Sequence, residues 1–325
     1  MPSSPAFPPR IDVHAHYLPD FYRRAAEAAG HRHPDGMPGL PDWNVGAALA
    51  MMNGLAIGTA MLSISSPGVH FGDDAAARAL ARQVNEAGAE AVANHPGRFG
   101  LFAALPLPDI DGALGEIAHA FDTLGADGVT VETNHHGLYM GDVRLDPVFA
   151  ELNRRHAVMF MHPTSPSCRC CQALSLGYPR PMIEFMFETT RAVANLLLTG
   201  TLDRFPDIRL IVPHAGAAVP VLVDRVIGLA PALGLPEPLD ADRVFTTLRR
   251  LYYDLAGFPL PRLLPALLQL ADPARILYGS DWPFTPLPTV IRLAEEIGAT
   301  PLFDAATRRA VLYDNAAVLF PRVAG

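Results

Sequence analysis

The sequence predicts an α/β chain folded as a (β/α)8 TIM barrel, on three observations. Eight short apolar runs rich in Val, Ile, Leu and Phe recur along the 325 residues, each bounded by turn residues. Amphipathic stretches separate them, the alternation expected of parallel strands buried beneath helices. Several runs close on a polar residue at the C-terminal end, the end at which such a barrel builds its active site.

In chain order the runs are RIDVHAH (10–16), GTAMLSIS (58–65), FGLFAALPL (99–107), GVTVETN (128–134), VMFMHPT (158–164), IRLIVPHAG (208–216), LYYDLAG (251–257) and ILYGSDW (276–282). Helix candidates fall between them at 74–94, 111–124, 145–156, 182–203, 217–229, 260–271 and 303–318. Residues 17–43, with HRHPDGMPGLPDW, read as an extended Pro/Gly-rich insertion after the first strand, and 164–181 as another after the fifth. Both should hang over the C-terminal mouth. No internal repeat, low-complexity tract or dividing linker interrupts the chain, so residues 1–325 read as a single domain.

Composition narrows the partners. A net charge of −8 and 50% apolar residues disfavour nucleic acid and anionic membrane, which need a basic surface, and favour a small-molecule ligand. No uncharged apolar run is long enough to cross a bilayer, and the start MPSSPAFPPR lacks a signal-like pattern, so the expectation is a cytoplasmic protein. The three cysteines crowd into SCRCCQ as Cys168, Cys170 and Cys171, a spacing that offers no ordinary disulfide framework and suits a reducing compartment. All 25 basic residues are arginine; there is no lysine.

The polar strand ends carry the chemistry. His14 and His16 are two apart in an extended run, so they share a face. His162 ends the fifth run, His214 the sixth and Asp281 the eighth, placing all five on one rim. A polar group closing an apolar strand must find a partner, and a shared cation satisfies several at once. Three imidazoles and a carboxylate, from His14, His16, His162 and Asp281, suit Zn2+ with an open position, and the same set accepts other divalent ions such as Mn2+. Any one of these histidines alone reads as a hydrogen-bonded core residue; it is their joint placement that points to a metal. His31 and His33 read as solvated or lid residues, His135 and His136 as possible pocket lining, and His70, His95, His119 and His156 as structural.

The segments IDVHAH, MFMHPT, IVPHAG and YGSDWPF, in that order, resemble the metal-dependent amidohydrolase superfamily, and within it the aminocarboxymuconate-semialdehyde decarboxylase-like branch. The similarity runs from about residue 10 to 320. It implies a nonoxidative decarboxylase with His14, His16, His162 and Asp281 on one divalent metal and His214 as the acid/base. Hydroxybenzoate decarboxylases of this branch often carry Glu in place of the first histidine, use manganese and place a glutamate shortly after the acid/base histidine. Here the first position is His14, and Ala215, Gly216, Ala217 and Ala218 follow His214. Binuclear relatives bridge two metals through a carboxylated lysine, which a chain without lysine cannot form, so one metal is expected; Glu132 near the end of the fourth run has no assigned role.

Arg225 lies eleven residues beyond His214, where relatives place an arginine that reaches a neighbouring subunit's site to pair with a substrate carboxylate. A homodimer is the corresponding expectation. Trp282, Phe284 and Trp43 are candidate walls for a flat ring. In the expected reaction a small aromatic or dienoic acid, of the salicylate or muconate-semialdehyde type, loses CO2 while His214 manages a proton and Asp281 delivers it to carbon. Hydrolysis of a lactone, ester or amide on the same site is the alternative, and a non-catalytic binding barrel a third reading.

Overall fold

All eight apolar runs become strands in the computed structural model, which describes residues 9–168, 175–234 and 239–322. They are β1 (Arg10–His16), β2 (Ile57–Ser63), β3 (Phe99–Ala104), β4 (Gly128–Glu132), β5 (Val158–His162), β6 (Arg209–Val212), β7 (Tyr252–Asp254) and β8 (Ile276–Leu277). Each pairs in parallel with the next in chain order. Closure comes from the segment after β8: the Val13 N–H donates to the Tyr278 carbonyl (3.0 Å), Asp281 N–H to His14 (2.7 Å) and His16 N–H to Trp282 (2.8 Å). The first and last strands of the barrel are thus stitched together at the residues that carry the predicted chemistry.

The interior is plugged below that level. Ile11, Val13, Met61, Phe102, Phe160, Ile211 and Leu277 fill the barrel, and Leu319 and Phe320 of the last helical segment close its lower end. A larger apolar layer lies between strands and helices. In β5, Phe160 packs inside and His162 two residues on faces the same way, the plain alternation of a strand. In β1 the alternation breaks. Asp12 pairs with Ala60 and Ala15 with Leu62, so β1 advances three residues while β2 advances two. That bulge changes the phase of the strand, and Val13 and His14, adjacent in sequence, both face inward. Asp12 serves the freed backbone, its Oδ1 accepting from His14 N–H (3.1 Å) and Ser280 N–H (3.0 Å). Burial pushes its carboxyl up to about 7.

The long helix Asp74–Asn94 matches its predicted limits and starts at Asp73, whose side chain caps the Ala76 N–H. Among the described residues, four α-helices were not among the candidates: Asp20–Ala28, Val45–Gly54, Ala241–Arg250 and Leu287–Ala299. The first corrects the picture of residues 17–43 as an extended excursion, since Tyr22 and Ala26, one turn apart, are buried beneath a charged face. Val45–Gly54 is nearly all apolar and shows no helical polar stripe; its cap, Asn44 on Ala47 N–H, is the local signal. His214 also lies differently from the expectation. β6 ends at Val212, and His214 sits in a tight turn, with φ near 54° for both His214 and Ala215. Cys168 is disulfide-bonded, against the expectation of reduced thiols; Cys170 and Cys171 lie outside the described residues.

Candidate metal centre

Four segments deliver the predicted ligand set to one point. One ligating atom each from His14, His16, His162 and Asp281 lies within 4.8 Å of all the others, the one such grouping among the described residues. Asp281 Oδ1 is 3.4 Å from His14 Nε2 and 3.3 Å from His16 Nε2. A tetrahedral ion with bonds of about 2.0–2.1 Å has ligand–ligand edges of roughly 3.3–3.4 Å, so these spacings fit.

The other ring nitrogens explain why the donors point inward. His14 Nδ1 donates to Asp254 Oδ2 at 2.9 Å, with both side chains fully buried. His16 Nδ1 donates to Ser63 Oγ at 2.8 Å, and that hydroxyl gives its own proton to the Ala15 carbonyl. His162 Nδ1 donates to the Pro163 carbonyl at 2.7 Å. Each acceptor holds the proton on Nδ1 and leaves Nε2 with a lone pair, the form that ligates. The Nε2 atoms of His14 and His16 are buried without a hydrogen-bond partner, as ligands awaiting a cation should be. On the fourth ligand, Asp281 Oδ2 accepts from Thr285 Oγ1 at 2.9 Å. The residues present therefore fit one divalent ion.

The electrostatics follow from burial and neighbours. Burial presses His16 down and His162 well down, keeping both neutral. At His14 burial also lowers the pKa, but in the metal-free chain the carboxylates of Asp254 and Asp281 outweigh it and lift it to about 10, so a cation binding at Nε2 displaces a proton there. Burial would raise Asp281, yet the imidazoles of His14 and His16 beside it hold it well below the usual carboxylate range. His214 stands beside the cluster, its ring 5.0 Å from that of His14, with Nδ1 unpartnered and burial lowering its pKa.

Two cavities share the mouth. One, of about 550 Å3, holds His162, His214 and Asp281 on its floor and is walled by Phe185, Phe284, Met182, Met186, Phe258 and Leu263. Phe284 stands edge-on to His16 and Phe185 edge-on to His162. The other, of about 330 Å3, lies over β2–β5 and is lined by polar groups that include Asp35, Glu132, His70, His135, His136 and Arg180. Both insertions reach both chambers, through His31–Asp35, Ser165 and Arg180 in one and Met37, Pro181 and Met182 in the other. His70, expected to be structural, therefore lines a cavity.

Of the other expected substrate contacts, Phe284 alone lines the metal-bearing cavity among its described residues. Trp282 is buried in the apolar layer and contributes its backbone to barrel closure. Trp43 packs edge-on against Tyr17. Arg225 is exposed on the outer face of the helix Val219–Leu229. Asp254, Ser63 and Thr285 were missed. Asp254 is the last residue of β7 as His162 is of β5, but in LYYDLAG it is followed by Leu255 and Ala256, so the sequence does not mark it as a strand end.

Comparison with known proteins agrees with the geometry. The profile of the amidohydrolase family matches residues 11–322. The chain is 37% identical over 325 residues to 6-methylsalicylic acid decarboxylase acuB of Aspergillus aculeatus, covering 97% of this chain and 96% of that one. A crystal structure titled Amidohydrorolase II superposes with a TM-score of 0.90 at 36% identity, covering 96% of this chain and 99% of the other. That of 2,6-dihydroxybenzoate decarboxylase complexed with 2,6-dihydroxybenzoate does so with a TM-score of 0.78 at 25% identity, covering 96% and 99%.

Proposed function

We propose that this chain, which belongs to the amidohydrolase family, is a metal-dependent carboxy-lyase that removes CO2, without oxidation, from a small 2-hydroxybenzoate of the salicylate type. The observation that carries the reading is the convergence of three tautomer-fixed histidines and Asp281 on the floor of an apolar cavity, with His214 beside them. The two relatives named as decarboxylases act on benzoates with a hydroxyl beside the carboxylate, which supports the substrate class and favours decarboxylation over hydrolysis. The walls of Phe, Met and Leu suit a flat ring with an apolar substituent better than a charged, open-chain muconate.

His14, His16, His162 and Asp281 would hold one divalent ion, zinc by its nitrogen-rich donor set. When bound, such an ion supplies Lewis-acid polarisation to the carboxylate and its neighbouring phenolic oxygen. Phe284 and Phe185 flank the ligand histidines and orient the ring. In this reading Asp281, ionised at rest, would receive a proton relayed by His214 and pass it to the ring carbon that bears the carboxylate. That carbon gains the proton as its bond to the carboxylate carbon breaks, and CO2 leaves with aromaticity restored. His214, kept neutral by burial and reached through the open side of the cavity, resupplies the proton from solvent. Arg225 has no role within its own chain's cavity, and its exposure supports a homodimer in which it reaches the partner's site.

The test is to offer metal-loaded protein salicylic acids and, separately, aryl lactones, with CO2 and phenol followed in one arm and acid release in the other. CO2 with stoichiometric phenol supports the reading. Lactone opening without CO2 from any salicylate overturns it.

A further inference from the structure

The metal-bearing cavity is larger than the ring it has to seat. Its volume is about 550 Å3, whereas about 150 Å3 of apolar space already holds a benzene ring. A carboxylate and one hydroxyl on that ring take the floor at the metal centre, and most of the remaining space stays unfilled.

The wall is apolar from floor to mouth. Phe185 is buried beside His162, Phe284, Met186 and Leu263 are half-buried, and Met182 and Phe258 are 64% and 63% exposed. Apart from His162, His214 and Asp281, the described lining residues include no charged side chain. Two of the hydroxyls are already engaged, Thr285 with Asp281 and Ser66 with Thr164. Arg292, which does not line the cavity, stands 5.7 Å over the Phe258 ring and holds this exposed aromatic at the mouth. Exposed apolar side chains gathered at the rim of a cavity mark a binding surface. An unsubstituted salicylate leaves them uncovered. Its carboxylate and hydroxyl sit on adjacent ring carbons, so when that edge faces the metal centre the opposite edge, positions 4 and 5, faces the mouth.

We propose, on the carboxy-lyase reading of this metal centre, that the preferred substrate is a 2-hydroxybenzoate carrying an unbranched alkyl chain of several carbons at position 4 or 5. The chain lies along Met186 and Leu263 and ends at Met182 and Phe258. The step balances as before: the ring carbon takes a proton as its bond to the carboxylate carbon breaks, giving CO2 and an alkylphenol. Contacts to a chain remote from the reacting atoms raise kcat/KM for the same chemistry.

The experiment measures CO2 release by the metal-loaded full chain from salicylate, its 5-methyl, 5-propyl, 5-pentyl and 4-pentyl derivatives, and 3-pentylsalicylate, whose chain leaves the ring beside the hydroxyl. Each buried methylene should raise kcat/KM about two- to fourfold, so a pentyl chain at position 4 or 5 should exceed salicylate by about 30-fold or more. The 3-pentyl compound should show no gain. Phe258→Ser and Met182→Ser, at exposed positions where the fold tolerates a hydroxyl, should each lower the pentyl-to-unsubstituted ratio by about threefold or more. Equal kcat/KM across the series, or a gain for the 3-pentyl compound alone, overturns the proposal, while CO2 from salicylate leaves the carboxy-lyase reading standing. No CO2 from any member overturns that reading and the proposal with it. A Phe258→Ser protein that keeps the full chain-length gain but sediments as a smaller species assigns the rim to a second copy of this chain, and likewise overturns the proposal.

Discussion

Asp254→Asn isolates the device that aims His14 at the cation. In the native chain one oxygen of Asp254 accepts from His14 Nδ1 at 2.9 Å, and the other accepts from the backbone N–H groups of His214 (3.1 Å) and Ala256 (2.9 Å). Asparagine has the same shape but a single acceptor oxygen. If that oxygen faces His14, the amide NH2 meets two backbone donors; if it faces the backbone, the NH2 meets His14 and drives the ring proton onto Nε2, removing the lone pair that binds metal. Both groups are fully buried, so solvent does not soften either outcome. Loss of such an outer partner costs about 10- to 100-fold in metal affinity. Competition with a chromophoric chelator measures it, with circular dichroism establishing that the variant is folded. Affinity within about twofold of the parent, in a folded variant, refutes the reasoning, because this class of contact is worth far more than that.

Further perturbations probe the surroundings. A Cβ on Gly279 would sit 2.7 Å from His14 Cβ and 3.2 Å from Ala256 Cβ, so Gly279→Ala should lower stability by about 1–3 kcal/mol and reduce metal occupancy in parallel, read by denaturant titration and metal analysis. Phe160, fully buried under the His14 ring at 4.8 Å, should cost about 3–5 kcal/mol as Phe160→Ala in a urea titration. His214→Ala should lower kcat by about 10²- to 10⁴-fold at unchanged metal content in a steady-state assay. The His14 pKa, about 10 in the folded chain, is raised above its unfolded value. In chelator-treated protein its contribution to stability is therefore full below about pH 6.5 and lost as pH rises through about 10, visible as a falling thermal midpoint across that window.

The sequence made the barrel and its ligands readable for the same reason. Buried parallel strands need continuous apolar runs, and a polar residue at the end of one stands out against them, as His162 does after VMFM. What stayed hidden depends on geometry that no residue type announces. The bulge at Asp12–Ala15 turns His14 inward, but strand register belongs to both partners and is not written in β1 alone. The turn at His214 puts His214 and Ala215 at φ near 54°, a conformation that neither residue type announces; its one glycine, Gly216 at φ 78°, comes only at the end of the turn. Helix Val45–Gly54 lies against β2 and buries Ala48, Met51 and Met52, but its exposed face carries Gly46, Ala47, Ala50 and Gly54 in place of charged residues, so no amphipathic stripe marks it. The polar chamber draws on five separate segments, including Asp35 and His70, each of which reads in isolation as an ordinary loop residue.

The most direct measurement is metal stoichiometry taken together with CO2 release on the same preparations, for the unaltered chain and for His162→Ala. One divalent ion per chain with CO2 formed from a salicylic acid, and neither in the folded variant, is the predicted result. An unaltered chain that releases CO2 without bound metal, or a His162→Ala protein that keeps both metal and activity, contradicts it.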